Sequence, residues 1–383
     1  MHDRERSGSM KKEDSAAIKG VAILFMMFHH CYRVQSKFAG KHVIFDPFAV
    51  TDVVRVANYM KICVSLFAFV SGFGLMYGYM HRKKKGILSA GKWTIQHLIS
   101  TTSGFWVVSG LSYFVIGFTR NFNYHSWGDN SFEIARNIFY DCLGISELTG
   151  TKSLNGAWWY MGTAIGFILF MPILAWLTQK IGGLSTILLI MLLPRLLGWW
   201  YLGGKSSYSF LTILEMGAIF QYYDIFAKIE KFLNSGRAML RKSITGVVLF
   251  LLVPLTVYSY TRVEIELYWE YCYSWIPMVL ILFCVLYLFK VKAISVPLQF
   301  FGKYSLNIWL VHTFLRDKVP FVWSVRTFWL VPIVIFVIAL GISILVELLK
   351  KYTGYNDMMK AVQKCFAEKP KGKKEVTAKV ETA

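Results

Sequence analysis

Apolar residues along this chain come in long blocks, separated by short polar segments in which Lys, Arg, Asn and Gly collect. Apolar runs of about 18 residues or more read as membrane spans, because a helix rises about 1.5 Å per residue through a hydrocarbon core about 30 Å thick. About ten such blocks are read. The first five cover Ala16 to Val34, Tyr59 to Met80, Ile95 to Phe118, Ala157 to Thr178 and Leu184 to Tyr201. The sixth runs from Tyr208 to Ala227, and the seventh follows the basic loop Lys228 to Lys242 and ends near Thr261. The last three cover Tyr271 to Phe289, Phe300 to Leu315 and Phe328 to Leu349, and Lys303 and His312 interrupt the ninth. The longest loop is Thr119 to Gly156, rich in Asn, Gly and aromatic residues. The expected fold is an all-α, polytopic transmembrane helix bundle. It comprises a polar N-terminal segment 1–15, a membrane domain 16–350 and a charged tail 351–383.

Composition agrees with this pattern. Hydrophobic residues make up 55% of the 383 positions and charged residues only 17%, where a soluble domain has about a quarter charged. The formal net charge of +20 would suit nucleic acid, but no nucleic-acid partner is expected. The cations sit in short loops between apolar blocks, which is the positive-inside pattern. With the N-terminus inside, the inner segments hold about 27 Lys and Arg and the outer ones about 12. This asymmetry predicts both ends in the cytoplasm. No cleavable signal peptide is read, and Met10 offers an alternative start. The six cysteines form no close pair, so no metal site is expected. Cys142 and Cys272 fall in or near outer segments, where a disulfide could form.

Ionisable groups inside spans are costly and are functional candidates by default. Lys19 and His30 are eleven residues apart, which places them within about 20° of one helix face and about 16 Å apart along the axis. His29 points about 100° away. Arg195 and Glu215, in consecutive spans, are expected at similar depth and so to pair. Ser305 and His312 share a face by their spacing of seven. Lys92 and His97 begin the third span on the inner side.

These residues carry a resemblance. Lys19-Gly20-Val21-Ala22-Ile23, running on to His30, resembles the first-span signature of the acyltransferase family 3 membrane proteins, a basic residue, ten positions and a histidine. The stretch Ser65 to Phe73, with Ser71-Gly72, is similar to the family's aromatic Ser-Gly segment. Ala157-Trp158-Trp159-Tyr160 with Pro172 resembles its tryptophan-to-proline span, and Phe301 to Leu306 ending at Val311-His312 its late Gly, Ser and His pattern. The chain departs from the pattern in having Lys rather than Arg at the first basic position, Ala164 where many members have a glutamate, and no arginine pair at Lys92 to His97.

The resemblance implies O-acyl transfer, commonly of acetyl, from cytoplasmic acetyl-CoA to a hydroxyl of a surface glycan or lipid-linked sugar, in a bacterial cytoplasmic membrane. His30 is the candidate acyl-handling residue, as base or transient carrier, and His312 an orienting or second base. Lys19, Lys83, Lys84 and Lys92 are candidates for the polyanionic donor. Trp159, Tyr160, Ser71, Ser305, Arg195 and Glu215 are candidates for acceptor binding or structure. The rival readings are a glycan or lipid transporter without acyl chemistry, and a scaffold without activity.

Overall fold

The computed structural model describes residues 10–82, 86–118, 126–199 and 206–366. Fifteen α-helices are present among them, and no β-strand. In order they are α1 (Lys12–Tyr32), α2 (Val50–Tyr59), α3 (Cys63–Met80), α4 (Ile87–Phe118), α5 (Ser131–Leu143), α6 (Ser146–Thr149), α7 (Trp159–Ile181) and α8 (Gly183–Leu196). They continue with α9 (Leu211–Tyr222), α10 (Ile225–Leu233), α11 (Ala238–Tyr260), α12 (Ile276–Leu286), α13 (Lys292–Lys318), α14 (Leu330–Tyr352) and α15 (Tyr355–Phe366).

Among the described residues, six helical stretches are long and apolar enough to cross a membrane: Val50–Met80, Ile87–Val115, Trp159–Ile181, Ala238–Tyr260, Tyr271–Lys290 and Leu330–Tyr352. The other four expected spans correspond to α1, α8, α9 and α13. These are helical, but α8 and α9 are short, while α1 and α13 carry several charged residues. The second span starts earlier than expected, because α2 already begins at Val50 and runs into α3 through a 3-10 turn. Lys303 and His312 do not break α13, which is continuous over 27 residues.

Two close helix pairs form the centre. The backbone of α1 touches that of α13, because Gly20 faces the Leu298 carbonyl and Gly302 faces the Ala16 carbonyl. A Cβ at either glycine would overlap those backbone atoms, so only the smallest residue permits this approach. Gly72 of α3 and Gly217 of α9 do the same, against Leu214 and Phe69. The contacts of α1 and α13 advance together, from Gly20 at Leu298 to His30 at His312. The two helices therefore run parallel. At the margin, α11 turns Val247, Val248, Phe250 and Leu251 outward, as a lipid-facing helix would.

The region expected as a loop at Thr119 to Gly156 contains α5 and α6. Asn130 caps α5 by accepting from the Glu133 N–H at 3.0 Å, and Gly144 ends it with φ 76°. The buried Asp141 carboxylate then ties this segment down. It accepts from the Tyr113 hydroxyl at 2.8 Å, the Ser146 hydroxyl at 3.1 Å and the Leu154 N–H at 2.8 Å. All six cysteines are free, Cys142 and Cys272 included.

Candidate active site

A cavity of about 600 Å³ runs along α1. Lys19, Met26, His29 and His30 line it from that helix and Arg33 from its C-cap, a stretch of about 21 Å at helical rise. Facing them, α3 contributes Cys63, Val64, Phe67 and Ser71, and α7 contributes Trp159, Tyr160 and Ala164. Ser100 and Thr101 of α4, and Ser305 and Trp309 of α13, complete the wall. Six of the sequence candidates, Lys19, His30, Ser71, Trp159, Tyr160 and Ser305, thus come together around one space.

The three histidines meet near one end of it. His30 and His312 have ring centroids 4.9 Å apart, and His29 and His30 5.1 Å. The outer two are fixed by backbone carbonyls. His29 Nδ1 donates to Ala57 O at 2.7 Å, which ties α1 to α2. His312 Nδ1 donates to Trp309 O at 2.7 Å. A carbonyl only accepts, so each Nδ1 carries a proton, and in the neutral ring Nε2 keeps its lone pair. The His312 Nε2 is buried with no hydrogen-bond partner. His30 lies between these rings, half-buried, with the cavity beside it. Among the described residues no group of His, Cys, Asp or Glu is arranged to hold a metal ion.

The wall that carries His312 is pinned to the segment before α7. Asn155 Nδ2 and Trp158 Nε1 both donate to Leu310 O, at 3.1 and 3.0 Å. Trp309 Nε1 donates to Ala157 O at 3.0 Å, and the Thr313 hydroxyl to Asn155 Oδ1 at 2.7 Å. The Ala157-Trp158 dipeptide of the sequence motif thus serves as an anchor, and its neighbours Trp159 and Tyr160 face the cavity.

The remaining candidates fare differently. Lys92 is exposed on α4 and does not line the cavity, and Lys83 and Lys84 lie outside the described residues. The expected pair of Arg195 and Glu215 does not form. Arg195 instead makes a two-pronged ion pair with Glu270, with Nη2 2.7 Å from Oε2, and stacks over the Trp269 ring. Glu215 accepts from the Thr178 hydroxyl. The cause is helix length. The fifth span was expected to reach Tyr201, but α8 ends at Leu196, so Arg195 sits at its tip rather than within it. Glu215 packs toward the other end, where α7 and α8 join at Gly182. Sequence reasoning missed Arg33, Lys61, Glu147, Ser100 and Thr101 as lining residues. The two hydroxyls inside an apolar span were a visible signal, whereas Glu147 reaches the cavity only because α6 folds back over it.

Known proteins add one finding. The acyltransferase-domain family matches residues 15–349. No curated protein and no solved structure matches this chain. The match takes in α1 with Lys19 and His30, the α3 and α7 walls of the cavity, and α13 with Ser305 and His312. This chain is a member of the acyltransferase family 3 membrane proteins.

Proposed function

We propose that this membrane acyltransferase moves an acetyl group from cytoplasmic acetyl-CoA to a hydroxyl of an extracytoplasmic or lipid-linked glycan, in the bacterial cytoplasmic membrane. The observation that carries this reading is one cavity lined by Lys19 at one end, by His29 and His30 toward the other, and by aromatic residues between them. The buried His312 packs against His30 from behind the lining. In an N-in arrangement Lys19 lies toward the cytoplasm, where a donor phosphate docks. The acyl group reaches His30 along the α1 stripe. Trp159 and Tyr160, with Ser71 and Ser305, face the space where a sugar ring would stack and bond.

Two chemical routes fit the residues. As a general base, His30 takes the acceptor proton while the hydroxyl oxygen attacks the thioester carbonyl, and the imidazolium then protonates the leaving thiolate. As a carrier, His30 attacks the thioester carbonyl, and coenzyme A leaves as the thiol with the imidazole proton. The acceptor hydroxyl then attacks the acyl-imidazole and returns its proton to the ring. In either case a second imidazole beside it is useful, because the free lone pair of His312 Nε2 can hold a proton or orient the His30 ring.

The test uses membranes containing this chain, supplied with radiolabelled acetyl-CoA and a glycan acceptor. Label should pass to the glycan, and His30→Ala should abolish the transfer. A labelled protein intermediate trapped by acid quench would select the carrier route. Glycan translocation without label transfer would favour the transporter reading instead.

A further inference from the structure

We infer that Arg316 is a positioning residue for His30. This rests on the acyltransferase reading above. The last carbonyls of a helix have no N–H of their own turn to bond. At the end of α1 the Arg33 N–H closes on the His29 carbonyl. The next carbonyl, that of His30, accepts instead from Arg316 Nη1 at 2.8 Å. A cation at this end also meets the negative pole of the helix.

The guanidinium is itself held. Its Nε and Nη2 donate to both carboxylate oxygens of Asp317, at 2.7 and 2.6 Å. Its backbone carbonyl accepts from Trp323 Nε1 at 2.9 Å. Arg316 is only 6% exposed although it lies in the last turn of α13. It also follows His312 by four residues, so both project from one side of α13. One helix thus supplies the ring that faces His30 and the cation that fixes the backbone of His30. The shared support sets the separation of the two imidazoles. Neither the Lys19-to-His30 spacing nor the late Gly, Ser and His pattern includes this residue.

The guanidinium fork matters as well as its charge, because three of its N–H groups point at fixed acceptors. A shift on the order of 1 Å at a reacting group can cost about 100-fold in rate. Arg316→Ala should therefore lower kcat for acyl transfer by about tenfold or more, with donor KM changed less than about twofold. Arg316→Lys should recover part of the loss. Asp317→Asn, at a half-exposed position, should lower kcat in the same sense, and it carries the test if Arg316→Ala does not fold.

Hydrogen exchange over residues 26–34 gives a readout that needs no activity. Amides of the last turn of α1 should exchange about tenfold faster in Arg316→Ala and faster in Asp317→Asn, since the local opening loses a charged hydrogen bond. Unchanged exchange in the folded variants overturns the inference. So does unchanged kcat when exchange has risen, or an equal loss of kcat in Arg316→Lys and Arg316→Ala. If the unmodified protein transfers no acyl group while the exchange difference holds, the acyltransferase reading falls and the anchoring of His30 by Arg316 stands.

Discussion

His29 and His30 are neighbours with opposite expectations. His30 has the cavity beside it and no carbonyl holding its ring, so on the proposed reading His30→Ala should remove activity at little structural cost. His29 bonds the Ala57 carbonyl in a buried setting, and His29→Ala strands that carbonyl at about 1–3 kcal/mol. Purified His30→Ala protein should melt within a few degrees of wild type and be inactive. His29→Ala should melt lower and keep part of its activity per folded molecule. The reverse pattern would sink the assignment. The ion pair at the tip of α8 gives a second test. Removing one partner of a buried pair costs about 3–5 kcal/mol. Arg195→Met and Glu270→Gln should each reduce folded yield, the double variant less than their sum, whereas Glu215→Gln should show no coupling to Arg195→Met.

At the scale of elements, close backbone contact makes sharp demands. Gly302→Ala forces a methyl group into the Ala16 carbonyl, and overpacking of this kind costs about 1–3 kcal/mol. Gly74→Ala is the control, because nothing lies within 4 Å of its Cβ position; it should be neutral or gain up to about 1 kcal/mol. Thermal melts in detergent check both. The segment around α5 carries a pH dependence. Burial pushes the Asp141 carboxyl above the ordinary carboxylate range, against the hydrogen bonds from Leu154, Ser153, Tyr113 and Ser146 that lower it. A raised pKa means that the folded segment holds the proton more tightly than the unfolded one. Its contribution to stability is complete below about pH 3.9, the unfolded value, and is lost as pH rises through the higher folded value. Limited proteolysis of segment 126–156 by an acid-tolerant protease should be slower at low pH, after correction for protease activity. Much of this level was legible in the chain. The facing of Lys19 and His30 follows from 100° per residue, and both line one cavity. The α5 helix could have been found from Asn130 three residues before Glu133, with Gly144 at its end. What could not be read was partner choice. Hydropathy gives the position of a helix end to within several residues, and five residues at the end of α8 moved Arg195 from the bundle to Glu270. The meeting of His30 with His312 depends on α1 lying parallel to α13, which no local pattern encodes.

For the whole molecule, the arrangement of charge makes topology testable. Cys365 is exposed on α15, near the end expected inside, and Ser131 is exposed on α5, near the segment expected outside. In intact cells an impermeant thiol reagent should label Ser131→Cys and leave Cys365 untouched until the membrane is opened. Labelling of Cys365 in sealed cells would reverse the orientation and move Lys19 away from a cytoplasmic donor. The same experiment bears on the span count, because an N-in, C-in chain requires an even number of crossings. Six stretches qualify by length and composition, and α1, α8, α9 and α13 would bring the total to ten.

The parallel packing of α1 on α13 also governs how the protein is made. About 280 residues separate His30 from His312, so the ribosome delivers the two halves of the imidazole cluster at opposite ends of synthesis. Until α13 arrives, the face of the first helix that carries Lys19, Gly20 and His30 lacks the partner that packs against it. The imidazole cluster forms only when α13 packs Gly302 against the α1 backbone beside Gly20, so on the acyltransferase reading activity would report that the chain has been completed through α13.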